Sequence, residues 1–413
     1  MSLTILIYLL FAIPPAVIVL RLTFAALPKT VLPSGLAVRR DENFKPSIAV
    51  VIPCFNEGEA VYHTIRSVWE SDYPKDKLKI YVQDDGSVDD SYAWILKAAV
   101  DMDRVYPERN GQNEGKTHTY LRAMDRSQSD IVLIVDSDTL LAPDVVHRMM
   151  ACFHDERLGV VGAPLGTINP DHGMLTAMQT YLYFLGLRLA KISEGKFRGV
   201  AVIGGYALAV RRVLLEELAP EIRHRNWFGV PVKDGEDRFI THLALLRGWG
   251  TYVEQKAEVR AYAVEDYPRY FGQQLRWKRS LIRTYFWVIR TLPYQVRNLN
   301  PAALFGVFSS GTLAIILLMG VITTFAGNPM AIVDPRTFLF LGAAFGAVMV
   351  ACSLKKGLRD QVLANPLKMV LFMAWFVVNL FYLVILSFFT LDQDAWGNRE
   401  KKTAPAPVPA SGD

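Results

Sequence analysis

Four long stretches without a single charged residue constrain this chain more than any other feature. They run from Ser2 to Leu20, Leu299 to Val333, Thr337 to Leu354 and Met369 to Leu391. Each is long enough, or nearly so, to cross a hydrocarbon core of ~30 Å as a helix. Of all residues 51% are apolar, and the surplus is concentrated in these stretches. Between the first and the second lies a long segment of ordinary charge density. The pattern predicts an integral membrane protein with a soluble domain inserted between its first and second spans.

Ser2 to Leu20 also has to be weighed as a cleaved signal. It has no basic residue ahead of the apolar run and no clear small-residue cleavage site, so it reads as a retained anchor. Arg21, Lys29, Arg39, Arg40 and Lys45 follow it and, by the positive-inside rule, hold the soluble domain in the cytoplasm. The expected location is the inner cell membrane, with several crossings. The last stretch has Lys355, Lys356, Arg359 and Lys368 before it and Arg399, Lys401 and Lys402 after it. Positive charge on both sides favours a re-entrant or interfacial element there, with a single crossing as the other reading.

The net charge of +5 suits an anionic membrane surface or a phosphorylated substrate, and is too diffuse for nucleic acid. Cys54, Cys152 and Cys352 form no CxxC pair and read as buried thiols in a reducing compartment. The seven histidines show no metal-ligand spacing.

Within the soluble part, short β-branched runs alternate with helical patterns. Strands are expected at Ser47 to Pro53, Lys79 to Gln83, Ile131 to Val135 and from Gly159, with helices at Gly58 to Ser71, Asp89 to Val100 and Gly115 to Ser127. This alternation predicts a mostly parallel, doubly wound sheet, whose ligands bind beyond the carboxyl ends of the strands. The polar clusters fall there: Asn56-Glu57 after the first strand, Asp84-Asp85-Gly86-Ser87 after the second, Asp136-Ser137-Asp138 after the third. Further helices are expected from Met174 to Glu194, Glu236 to Leu246 and Tyr267 through Arg290, and a Pro/Ala-rich disordered tail over 400–413.

Each cluster carries a chemical reading beside a structural one. Asp136 and Asp138 emerge on one rim, and their hard oxygens suit Mg²⁺ or Mn²⁺ shared with substrate phosphates; they also suit a plain turn. Asp84 and Asp85 can grip a ribose or a base N–H, or make a turn around Gly86. Glu236 and Asp237 open a helix, where they complement its dipole or remove a proton from an acceptor hydroxyl. Lys116, at another helix start, can reach a diphosphate or stay solvated. Gly204-Gly205-Tyr206 admits close backbone approach and offers one aromatic ring to an acceptor, or is a turn. On a helix, Gln273, Arg276 and Trp277 share one face. Amide, guanidinium and indole suit a sugar diphosphate, and equally an amphipathic helix lying on a membrane.

Taken in order, PCFNE (53–57), DDGS (84–87), DSD (136–138), GED (235–237) and QQLRW (273–277) resemble the membrane-embedded, processive family 2 glycosyltransferases. The resemblance runs most strongly to bacterial hyaluronan synthases and rhizobial chitin-oligosaccharide synthases, and extends to Trp396-Gly397-Asn398-Arg399. It implies a GT-A (Rossmann-like) α/β cytosolic domain inserted between transmembrane α-helices, and inverting transfer from a UDP-α-sugar. Carried over by motif, Asn56, Glu57, Asp84, Asp85, Lys116 and Asp136 would bind the donor, Asp85 and Asp136 at the uridine and ribose. Asp138 would hold the metal, and Asp237, beside Glu236, would be the general base. Gln273, Arg276 and Trp277 would hold pyrophosphate and acceptor, Gly204, Gly205 and Tyr206 would face the acceptor, and Trp396 and Arg399 would close the site. Two departures stand out: Gly115-Lys116-Thr117 replaces the usual GKR, and no Cys-Ser-Gly stands near Gly204.

The resulting layout is an anchor over 1–27, a GT-A domain over 45–262, interfacial helices with the QxxRW motif over 263–298, and transmembrane or re-entrant segments over 299–395. The expected activity is β-linked polymerisation from a UDP-sugar, with UDP-N-acetylglucosamine implied by resemblance. The partners are that donor, a growing polysaccharide or lipid acceptor, and membrane lipids. A non-processive lipid glycosyltransferase and an inactive sugar-binding membrane protein are the alternatives.

Overall fold

The computed structural model describes residues 37–232, 234–298 and 382–393, with single positions at 20, 21, 23, 346, 367, 371 and 375. The expectations on the first three charge-free stretches therefore fall almost wholly outside the described residues, as do those on Trp396, Arg399 and the tail; of the last stretch, 382–391 are described. Among the described residues no helix is long and apolar enough to cross a membrane.

In chain order the elements are β1 (Ile48–Cys54), α1 (Ala60–Trp69), β2 (Leu78–Asp84), α2 (Ser91–Asp101), β3 (Val105–Arg109), α3 (Lys116–Asp125), β4 (Ile131–Val135), β5 (Thr139–Leu141) and α4 (Val145–Cys152). There follow β6 (Leu158–Gly162), β7 (Leu165–Thr167), α5 (Met174–Leu182), a π-helical stretch Tyr183–Leu189, α6 (Ala190–Gly195), β8 (Ala207–Arg211) and α7 (Arg212–Arg223). Last come the hairpin β9 (Asn226–Trp227) and β10 (Val230–Pro231), α8 (Glu236–Leu246), β11 (Gly250–Val253), β12 (Val259–Ala261) and α9 (Tyr267–Asn298).

Seven strands form the central sheet in the order β11-β6-β8-β4-β1-β2-β3. β1 is buried along its whole length, which is why it reads as an unbroken apolar run rather than an alternating one. Its side chains part between two cores. Ile48, Val50 and Ile52 pack with Val61, Ile65 and Ile95 of α1 and α2 on one face. Ala49 and Val51 pack with Tyr120, Leu218 and Leu243 of α3, α7 and α8 on the other. The layers are thus helices on both faces of one sheet.

The sheet is mostly parallel, as the alternation predicts, but one strand makes it mixed. β8 runs antiparallel to both β4 and β6. The chain leaves the sheet after β6, crosses its rim through β7, α5 and α6, and re-enters at that same end. This reversal has a functional consequence: the residues just before β8 lie at the rim where β1, β2 and β4 end. Two other features escaped the periodicity. β3 (VYPER) is polar and holds Pro107, as the edge strand it forms permits. The helix expected from Met174 to Glu194 is there, with its middle third widened into the π-helical stretch.

Candidate active site

The first two polar clusters lock onto each other. Asn56 takes a left-handed φ of 53°, and its Oδ1 accepts the Val88 amide at 2.9 Å while its own amide donates to Ser87 Oγ at 3.0 Å. The Glu57 amide donates to Ser91 Oγ at 2.8 Å. Asp84 is fully buried, accepts from Ser87 and lies 3.1 Å from Arg109 Nε. Burial pushes its carboxyl upward, with Ser87 and Arg109 pulling against that. Both Asp84 and its neighbour are occupied in building the rim. Asp85 Oδ1 accepts from Asn110 Nδ2 at 2.7 Å and from the Glu114 amide at 2.9 Å, and Oδ2 from the Gly115 amide at 2.9 Å. These bonds draw the 110–115 loop over the end of β2 and deliver Lys116 at the start of α3.

Lys116 is the hub. Its Nζ lies 2.5 Å from Asp136 Oδ1 and 3.1 Å from Glu236 Oε1. Burial disfavours the ammonium, but Asp136 and Glu236 outweigh it and hold the lysine protonated. Burial pushes Asp136 up to about 6; Lys116 pulls it down and the charge of Asp138 pushes it further up. Glu236 is held below the usual carboxylate range, because Lys116 and Arg225 overcome its burial. Asp237 goes the other way. Its carboxyl is raised by burial and by Glu236, against Arg238 and Lys116. One acid is thus kept ionised beside another with heightened proton affinity, the divergence expected of a base poised to take up a proton.

The antiparallel entry of β8 brings Gly204-Gly205-Tyr206 into this group. The Gly205 amide donates to Asp237 Oδ2 at 3.0 Å, and the Asp136 amide donates to the Tyr206 carbonyl at 3.4 Å. A Cβ on Gly205 would stand 2.8 Å from Lys116 Nζ, so only glycine leaves the lysine in place.

Asp138 stands close enough to Asp136 for the two charges to repel, and its charge also raises the Tyr183 phenol beyond what burial does. Tyr183 opens the π-helical stretch, a distortion frequent at functional sites. Its ring lies 6.2 Å from that of Trp277, which sets the QxxRW face beside the Asp138 corner. Among the described residues no group of three or more His, Cys, Asp or Glu could hold a metal by itself. A pair of adjacent carboxylates instead fits a hard divalent ion that takes its other ligands from phosphate and water.

α9 is seated by α8. Trp287 packs its indole against Phe239 at 5.5 Å and His242 at 4.9 Å, and Gly235, at φ +70°, lies so close to Ser280 that a Cβ would overlap its hydroxyl. Gln273, Arg276 and Trp277 are all half-buried on that helix. Lys278, unforeseen from sequence, is also half-buried; burial and the charge of Arg238 push its ammonium down to about 8. Tyr183 was equally unforeseen, since a π-helical widening leaves no mark in apolar periodicity. The structure therefore brings together Lys116, Asp136, Asp138, Gly204, Gly205, Tyr206, Glu236, Asp237 and Trp277. Cys54 and Cys152 are buried and form no disulfide.

A family model described as glycosyltransferase-like family 2 matches residues 46–280. An N-acetylglucosaminyltransferase of Mesorhizobium japonicum is 28% identical over 94% of this chain and 89% of its own length. Another, of Rhizobium meliloti, is 28% identical over 89% of this chain and 84% of its own. Among solved structures, a mannosyltransferase of Pyrobaculum calidifontis, in complex with GDP-Man and Mn²⁺, superposes with a TM-score of 0.65 at 19% identity, covering 93% of this chain and 99% of that one. The likeness shows the fold: a GT-A-like α/β domain with a mixed central sheet.

Proposed function

Since this chain belongs to glycosyltransferase family 2, we propose that it extends a β-linked polymer from a UDP-sugar, with UDP-N-acetylglucosamine as donor, and passes the product through its own membrane segments. The observation that carries this reading is the contact of Asp237 with Gly205 in the same cluster as Lys116 and Asp136. It puts a carboxylate of raised proton affinity against a backbone turn, at the rim where strand-end carboxylates and Trp277 meet. The names of the rhizobial relatives support the choice of sugar.

In this mechanism Asp237 takes the proton of the acceptor hydroxyl as its oxygen attacks the anomeric carbon, and the nucleoside diphosphate leaves from the opposite side. Glu236 stays ionised against Lys116, so the proton is directed to Asp237. Asp138, with Asp136 beside it, would hold Mg²⁺ or Mn²⁺, which when bound offsets negative charge on the departing diphosphate. Arg276 supplies fixed positive charge from α9, and Trp277 offers its indole face to the acceptor sugar.

A seat at the membrane is supported by an exposed aromatic ridge. Phe228, 88% exposed at the tip of the β9–β10 hairpin, packs on Trp227, which packs on Phe286 of α9; Phe286 in turn meets Phe388, next to the 77% exposed Phe389. Aromatic side chains of this kind favour the membrane–water interface.

The test is release of UDP by the purified protein across a panel of UDP-sugars, with and without Mn²⁺, with gel sizing of radiolabelled product. A ladder of β-linked oligomers, abolished in Asp237→Asn, is the expected result. A single sugar on lipid would replace polymerisation with lipid glycosylation, and unchanged incorporation by Asp237→Asn would remove the base role.

A further inference from the structure

α9 carries Arg276, Arg279 and Arg283 at spacings of three and four, which align them along one helical face. Arg276 belongs to the QxxRW motif. The other two are buried and reach away from the helix to a segment more than a hundred residues later. Arg279 donates from Nε to Thr390 Oγ1 and from Nη2 to Gln393 Oε1, both at 2.9 Å. Arg283 donates to the Leu391 carbonyl from Nε at 3.0 Å and Nη2 at 2.7 Å, and to the Gln393 carbonyl at 2.8 Å. Its Nη1 lies 2.5 Å from Asp234 Oδ1, and both members of that ion pair are buried.

Asp234 is the hinge of this arrangement. Its backbone carbonyl accepts from Arg225, which also holds the Val232 carbonyl at 3.1 Å. Gly235 follows in a left-handed conformation against Ser280 of α9, and then come Glu236 and Asp237. One guanidinium therefore spans two backbone carbonyls of the C-terminal segment and a carboxylate three residues ahead of the proposed base. A planar fork with several donors in set directions suits that task; a lysine has a single point of attachment.

We infer that Arg279 and Arg283 form a clamp through which the segment ending at Gln393 sets the position of Asp237. They are positioning residues: Arg283 acts through Asp234, and Arg279 acts through the 390–393 segment that Arg283 also holds. That segment closes the charge-free run Met369 to Leu391 and leads directly to Trp396. A shift of residues 390–393, when an acceptor engages the membrane side, moves Arg283, then Asp234, and so tightens or slackens the base. The catalytic half of this inference rests on the proposed transferase reaction; the mechanical half stands without it.

Hydrogen–deuterium exchange of the full-length protein in lipid nanodiscs tests the mechanical half. In Gln393→Ala and Arg279→Ala, exchange over residues 232–238 rises several-fold relative to α3, and the double variant exceeds neither single by much. Arg283→Lys, which keeps the charge but cannot span both carbonyls, does the same. In turnover assays these variants lose kcat by ~10-fold or more, as small misplacements of a reacting group do, with donor KM little changed. Faster exchange confined to residues 382–393, with 232–238 at the wild-type rate, overturns the clamp. Wild-type protein that transfers no sugar removes the transferase reading instead, and leaves the exchange result to decide the clamp.

Discussion

Asp237 Oδ2 accepts the Gly205 amide at 3.0 Å, joining the first turn of α8 to the residue pair that leads into β8. Lys116 Nζ occupies the space a Gly205 side chain would need. Residues from three distant parts of the chain thus share one contact. The consequence is that Lys116, Gly205 and Asp237 pack against one another in a single wall of the candidate site.

Gly205→Ala is expected to lower activity more than stability. The added methyl would stand 2.8 Å from Lys116 Nζ and 3.5 Å from Asp237 Cβ. The lysine end is flexible and can swing aside without moving the backbone, although parting it from its buried carboxylates also lowers the thermal unfolding midpoint. In doing so it leaves Asp136 and Glu236, and kcat falls by ~10- to 100-fold, the scale of an ångström-sized misplacement. Steady-state kinetics beside a melting curve check this; wild-type kcat in the variant would show that the wall tolerates movement.

Gly235→Ala is expected to act on stability first. Its φ of +70° is strained for any residue with a Cβ, and that Cβ would overlap Ser280 Oγ. Such backbone strain costs about 1–3 kcal/mol. On a Ser280→Gly background the overlap disappears while the φ remains, so part of the loss persists. Thermal unfolding of the two singles and the double separates the contributions.

Lys278 is expected to set an alkaline limb. Its ammonium, pushed down to about 8 by burial and by Arg238, loses its charge as pH rises through that value. One cation then disappears from α9, next in sequence to Trp277. The pH profile of kcat/KM should fall above about 8, and Lys278→Arg, which keeps its charge, should carry activity to higher pH. An identical alkaline limb in both proteins would assign it to another group.

Much of this site is legible in sequence because its parts lie at strand ends, where turn residues and acids interrupt apolar runs. Asp136-Ser137-Asp138 after Ile131–Val135 is the plainest case, and Glu236 marks the helix start to the residue. What escapes is what depends on direction and on partners. Nothing in ALAVR reveals that β8 runs antiparallel, yet that reversal places Gly205 on Asp237. Asp84 and Asp85 read alike in sequence, as a grip for a ribose or as a turn around Gly86, whereas both are enclosed and hold the rim. Arg279 and Arg283 carry no motif of their own, and their partners at 390–393 are set by tertiary packing.

His242 is expected to make stability fall in acid. It is 2% exposed on α8 with its ring edge against Trp287, and burial pushes its imidazole down from 6.5 to about 4. An unfolded chain therefore takes up a proton near pH 6.5 that the folded one refuses until about 4. This contribution is fully present above pH 6.5 and is lost progressively as pH falls toward 4, by ~1.4 kcal/mol per pH unit within that window. His242→Phe keeps an aromatic ring against Trp287 and removes the titration. The unfolding midpoint of wild-type protein should drop more between pH 7 and pH 5 than that of the variant, by the equivalent of about 2 kcal/mol. Equal drops in the two proteins would show that this histidine does not govern acid sensitivity.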